Sequence, residues 1–465
     1  MTLSRRHVLQ RGVAFSLGFA GLQAILRPGL AYADALVLRH GAGYGPLVPD
    51  PAGHLDLPSG FSYKAISCFR EVMDDGLNVP AKHDGMGAFP GPDGLTVIVR
   101  NHELDTTDMA RGAFGGRGQR LTDEIRGRMY DAGAGKIPAL GGTTNVVYDT
   151  RTQKVVRHFM SLAGTVYNCA GGMTPWGTWL TCEETMSRAD ARYAKDHGYV
   201  FEVAATAEPG LQVARPIEAM GRFQHEAVAI DPRTGIVYMT EDAGDGLLYR
   251  YIPAVPGKLH EGGRLQCLMV KDTPRADTRN WEARFLRVGG SRPVEWIDVE
   301  DRFAPNNDTR YTNYDKGAAI FGRGEGMWWA DGTAYFACTT GGRNQMGQIW
   351  KYTPSAKEGT PEERLKPGML ELFVEPDDSS IIGNCDNITV SPFGDLFVCE
   401  DAVPADDKIN YLLGITPTGE VYPFAKNASS ASEFAGATFS PDGSTLFVNR
   451  QGEGQTFAIT GPWKR

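Results

Sequence analysis

Acidic side chains and cysteines recur at matching places around a series of short hairpins in this chain, and that placement is where chemistry has to be sought. Asn168-Cys169 precedes the turn at Gly177 and Glu183-Glu184 follows it, while His225-Glu226 and Glu241-Asp242 bracket the turn at Gly235. Cys385-Asp386-Asn387 and Glu400-Asp401 bracket Gly394, Arg323-Gly324-Glu325 opens the hairpin at Gly332, and His83-Asp84 with Asn101-His102-Glu103 bracket Gly94. A hairpin sets its first residues beside its last, so these groups gather at one rim. Carboxylates brought together repel one another and resist ionising unless cations neutralise them. Clustered Asp and Glu with an amide oxygen such as that of Asn387 suit a hard ion like Ca²⁺, whereas the Cys169 thiolate suits a transition metal such as iron. The mixture predicts two metal types. Arg323, two residues from Glu325, can hold two phosphate oxygens at once, and Arg222 and Arg343 are weaker candidates for the same task. Metals and an arginine at one centre point to hydrolysis of a phosphate ester.

The elements that must deliver these groups are read from a repeat. Six segments share a Gly turn followed by a short apolar strand, from Pro92-Asp93-Gly94 to Ser440-Pro441-Asp442-Gly443, with turn glycines 49 to 97 residues apart. That interval fits one four-stranded sheet plus loops, so the expected fold is all-β: a six-bladed β-propeller with short helical insertions, placed at Leu121–Tyr130 and Thr185–Lys195. Residues 34–465 are expected to form one catalytic domain. In a propeller the innermost strands line the axis, so equivalent strand ends converge there. Cys182, Cys338 and Cys399 fall at matching places in second strands and read as small buried hydrophobes. His102 and His225 read either as ligands or as groups that orient a carboxylate.

Ser4-Arg5-Arg6-His7-Val8-Leu9-Gln10, an apolar stretch to Leu26 and Ala31-Tyr32-Ala33 read as a twin-arginine export signal over residues 1–33, followed by small-residue cleavage. Its loss removes Arg5, Arg6, Arg11 and Arg27 and no acid, taking the formal charge from −9 to −13. A chain this acidic is not expected to bind nucleic acid. No later segment is apolar enough for a stable membrane anchor. Periplasmic or secreted localisation, a passing partnership with the export machinery and a monomeric state are the expectations. Seven cysteines leave at least one thiol unpaired, and Cys169 is the candidate.

At Asn101-His102-Glu103, Asn168 through Glu184, Gly221-Arg222-Phe223-Gln224-His225-Glu226, Asp386-Asn387 and Phe439-Ser440-Pro441-Asp442-Gly443 the sequence resembles the PhoX-type alkaline phosphatases. The resemblance implies a six-bladed propeller with Fe³⁺ and Ca²⁺ on its axis that hydrolyses small phosphate monoesters at alkaline pH. It implies that Cys169 ligates iron, that Glu226 bridges iron and calcium, that Glu184, Asp242 and Glu325 hold metals, and that Arg323 faces the phosphate. Glu103, Glu183, Glu241, Asp386, Asn387 and Glu400 complete the candidate metal set, with Arg323, Glu226 and Cys169 in the catalytic roles. Two other functions fit the same architecture: a calcium-dependent lactonase or esterase, and a binding propeller whose acids hold structural Ca²⁺.

Overall fold

The computed structural model describes residues 43–107, 109–378, 380–401 and 409–464. The export signal read over residues 1–33 lies outside them. Six hairpins organise the described chain: β1 (His83–Pro90) with β2 (Thr96–His102), β3 (Asn168–Met173) with β4 (Thr178–Glu183), β5 (His225–Ile230) with β6 (Val237–Glu241), β7 (Gly324–Ala330) with β8 (Thr333–Cys338), β9 (Cys385–Val390) with β10 (Leu396–Glu400), and β11 (Phe434–Phe439) with β12 (Thr445–Arg450). The turn glycines that carried the repeat, Gly94, Gly177, Gly235, Gly332, Gly394 and Gly443, all adopt positive φ between 70° and 97°. A side chain there would be strained, and this is why the repeat is legible.

The architecture is all-β and propeller-like. The first strands pack against one another in the closed order β1, β3, β5, β7, β9, β11 and back to β1. β1, β5, β9 and β11 are buried almost from end to end, because neighbouring hairpins cover both faces. Six separate four-stranded sheets are not what hydrogen bonding gives. Among the described residues there are five sheets, because Ser291–Asp298 pairs with Gly263–Val270 on one side and Met369–Val374 on the other, welding two units into one ten-stranded sheet. The sheet begun by β3 has only three strands. The sheet begun by β11 takes its fourth strand, Ser62–Cys68, from the other end of the chain, against Gln455–Thr460.

Helix is scarce, as expected, but differently placed. The first insertion is α1 (Asp123–Arg128), begun by the Thr122 hydroxyl accepting from Ile125 N at 3.2 Å. Thr185–Lys195 is not helical. The Asp190 carboxylate takes the N–H groups of Arg192 (2.7 Å) and Tyr193 (3.1 Å), which a helix would have given to its own carbonyls. A helix not foreseen, α2 (Thr309–Lys316), ends at Gly317 with φ 119°. All seven cysteines are free, and Cys182, Cys338 and Cys399 are fully buried in second strands.

Candidate metal centre

The site is made by one irregularity used repeatedly. In β1/β2, His83 pairs with His102 and Met86 with Arg100, so Asp84 and Gly85 stand opposite Asn101 alone. The same β-bulge sets Cys169-Ala170 in β3, Glu226-Ala227 in β5, Glu325-Gly326 in β7 and Asp386-Asn387 in β9. A bulge re-aims side chains, and here it brings the first residue of each pair, Asp84, Cys169, Glu226, Glu325 and Asp386, toward a common centre. The β11 bulge holds Gly436-Ala437 and brings no such group.

Apart from Asn387, the second residues are Gly or Ala, and neighbouring backbone crowds the two glycines. A Cβ on Gly85 would lie 2.6 Å from Ala170 Cα, and one on Gly326 would lie 2.6 Å from Asn387 Cα. Four of these bulges are also clamped from the adjacent hairpin. Asn101 donates to the carbonyls of Cys169 (3.0 Å) and Ala170 (2.8 Å), Thr240 to Glu325 O (2.7 Å), Thr339 to Cys385 O (2.5 Å) and Asn449 to Asp84 O (2.5 Å).

Cys169 Sγ and carboxylate oxygens of Glu184 and Glu226 lie within 4.8 Å of one another, and so do oxygens of Glu226, Glu325 and Asp386. Glu226 belongs to both groups. Its two oxygens are buried and accept no hydrogen bond, a costly state for a carboxylate unless a cation meets it. Burial, then the charges of Glu184, Asp386, Asp84 and Asp242, push the Glu226 carboxyl well above its ordinary range. Burial and then Asp242 do the same to Glu184, and burial followed by Asp242, Glu226 and Asp386 to Glu325. Burial, then Asp84, Glu226 and Glu184, push the Cys169 thiol well up. Positive metal charge reverses each of these pressures. The donors fit two kinds of ion: thiolate with carboxylates for a transition metal, oxygens alone for a hard cation.

Arg323, at φ 54°, lies against this cluster. Its Nε and Nη2 donate to the two Asp242 oxygens at 2.9 Å each, and Nη2 also to Glu325 Oε1 at 2.8 Å. The side chain is 35% exposed and Nη1 has no partner among the described residues. Glu103 sits at the edge, 3.5 Å from Lys82 Nζ and 3.0 Å from Gln451 Nε2.

Other candidates are not brought into the cluster. Glu183 accepts from the N–H groups of Val166, Gly198 and Tyr199 and from His197 Nδ1 at 2.7 Å. Glu241 accepts from Leu247 N and Tyr249 Oη, and Glu400 from Gly383 N and Tyr411 N. In each pair the strand-ending acid ties down loop backbone. The residue after it, Glu184 or Asp242, is the one that reaches the centre, while Asp401 bears on Glu103 and Glu433. Asn387 is used up between Asp386 Oδ1 (2.9 Å) and Gly436 N (2.6 Å). His102 and His225 bond to backbone carbonyls of Ala81 and Gly221, and buried Arg222 is spent on the carbonyls of Met186, Ser187, His197 and Ala304. Arg343 is exposed. Sequence reasoning placed Asp84 and Asp401 at the rim but not in the metal set, and it left out Glu433. Asp84 had a usable signal, its step after a strand-opening residue that matches Cys169, Glu226 and Asp386. Glu433 had none.

The solved structure of Pseudomonas fluorescens PhoX in complex with vanadate, a transition state analogue, is similar in fold. It has 17% sequence identity and a TM-score of 0.64, over 90% of this chain and 97% of that one. A Xanthomonas campestris gluconolactonase aligns at 10% identity over 90% and 99% of the two chains, with a TM-score of 0.37. No curated protein gives a significant match. The family model of alkaline phosphatase PhoX matches residues 42–454, so the chain belongs to that family and is a phosphoric monoester hydrolase.

Proposed function

We propose that the enzyme is an exported alkaline phosphatase that cleaves small phosphate monoesters at an iron and calcium cluster on the axis of a six-bladed propeller. Six hairpins in a closed ring, each with a bulge at its inner end, support the blade count. Glu226, buried with both oxygens unpartnered between two groups of ligands, carries the reading of the centre. Cys169, Glu184 and Glu226 would hold iron, and Glu226, Glu325 and Asp386 would hold calcium, with Asp84 and Glu103 beside them. Bound there, the ions would supply Lewis-acid polarisation of the phosphoryl group and neutralise charge on the leaving alkoxide.

The chain's own residues do the rest. Arg323 offers its unpartnered Nη1 edge to phosphate oxygens while Asp242 and Glu325 grip the other edge, so the guanidinium is oriented before substrate arrives. The clamps from Asn101 and Thr240 fix where Cys169 and Glu325 leave the backbone. Close packing of Gly85 and Gly326 keeps the inner wall of the site rigid. Export to the periplasm or beyond rests on the sequence of residues 1–33. No helix of the described residues is long and apolar enough to cross a membrane.

Elemental analysis of protein purified through its native export route, paired with p-nitrophenyl phosphate turnover, tests the reading. Iron and calcium are both expected, with activity lost on chelation and restored when both are returned. Cys169→Ser is expected to lose iron and keep calcium. Calcium alone in an active wild-type enzyme would overturn the assignment of the thiolate.

A further inference from the structure

The axial centre is marked by buried carboxylate oxygens that meet no donor. The opposite imbalance lies between the first and last sheets. Arg100, on β2, is fully buried and forms no ion pair among the described residues. Its Nη1 donates to Thr456 Oγ1 at 2.6 Å, and its Nη2 reaches Thr144 Oγ1 at 3.0 Å and His158 Nε2 at 3.3 Å. All three partners are neutral acceptors. Nε has no acceptor, and the Ser67 hydroxyl, also buried, has no partner either. Ser67 pairs in register with Thr456, the residue that receives Nη1, so the two open donors belong to one patch of the seam.

The rest of the lining brings no negative charge. His83 contacts Thr456 and the Pro80 carbonyl, and His102 contacts Thr144 and the Ala81 carbonyl. The acidic groups that bear on Arg100 are Glu71 and Cys68. Glu71 is exposed and accepts from Cys68 N at 2.8 Å, while burial and then Glu71 keep the Cys68 thiol protonated. A buried ion with no counter-charge costs several kcal/mol, so native structures pair such groups.

We propose that this seam binds a small monovalent anion, of the size and charge of chloride, held by Arg100 Nε and the Ser67 hydroxyl. One formal charge needs balancing and two donors stand open, whereas a tetrahedral dianion would ask for more donors and carry charge in excess. The anion would fasten Ser62–Cys68 and Gln455–Thr460 to the first hairpin. It is a site apart from the metal centre, since Arg100 and Ser67 contact none of the ligands named above.

The test is thermal unfolding of the metal-loaded enzyme at constant ionic strength as chloride replaces methanesulfonate. A saturable rise in Tm is expected, smaller in Ser67→Ala and absent in Arg100→Met. Arg100→Met should also melt above wild type in chloride-free buffer, because its seam needs no counter-ion. A crystal soaked in bromide should show an anomalous peak within hydrogen-bond distance of Arg100 Nε. If Arg100→Met fails to fold, Ser67→Ala and the bromide map decide. Coincident melting curves in the two salts, a chloride response undiminished in Ser67→Ala, or stabilisation by inorganic phosphate without any by chloride would overturn the proposal.

Discussion

Replacing Glu226 with Gln keeps the shape of the side chain and removes its charge, and the sign of the effect depends on whether metal is present. Oxygens of Glu226 lie within 4.8 Å of ligand atoms on Cys169, Glu184, Glu325 and Asp386. Where the pH is high enough to ionise the raised Glu226 carboxyl, two unit charges at that distance repel by about 3 kcal/mol at an effective dielectric of about 20, and this sets the ceiling of the effect. Counting one such pair, and subtracting about 2 kcal/mol for burying an amide with no partner, leaves the metal-free variant about 1 kcal/mol more stable than metal-free wild type. For a domain of this size that is a rise in Tm of roughly 1–2 °C. With metal bound the order reverses if Glu226 is, as proposed, the ligand common to both groups. Differential scanning calorimetry of both proteins, with chelator and with metals restored, reads the two signs directly. Equal destabilisation of Glu226→Gln in both conditions would refute the reasoning, since it would make Glu226 an ordinary structural anchor.

Gly326→Ala places a Cβ 2.6 Å from Asn387 Cα and 2.7 Å from Asp386 O, backbone that cannot step aside, so a loss of about 2–3 kcal/mol with lowered metal content is expected by denaturation and metal analysis. His197 is fully buried; burial alone would lower its pKa, but Glu183 and Asp131 raise it from 6.5 to about 9. It therefore contributes about 3 kcal/mol that is complete below about pH 6.5 and lost as pH rises through about 9. Urea unfolding across that window should show the decline in wild type and a flatter profile in His197→Gln. Arg323→Lys keeps the charge but loses the fork gripped by Asp242, and turnover should fall roughly 10²-fold with metal content unchanged.

The six hairpins were legible because each turn spends a glycine on positive φ, and the rim was legible because a hairpin returns its chain to where it started. What the sequence hid was the bulge. Strict alternation makes Glu183, Glu241 and Glu400, the last residues of their strands, look like ligands opposite the strand-opening residues. One extra residue in the partner strand shifts the register, and the acids that end the strands are left to hold loops. Asp84, named at the rim, was kept out of the metal set for the same reason, in a strand whose Gly85-Met86-Gly87 gives no apolar alternation to read. The welding of two units by Ser291–Asp298 was invisible because pairing partners far apart in sequence leave no local signature.

Ser62–Cys68, laid beside Gln455–Thr460, makes the ring a loop with its clasp at the chain ends. Every candidate ligand lies between these two strands in the sequence, so the ring around the centre is closed only when they pair. The wall around those groups is therefore completed by a contact between opposite ends of the described residues, a pairing that closes a much larger loop than any hairpin does.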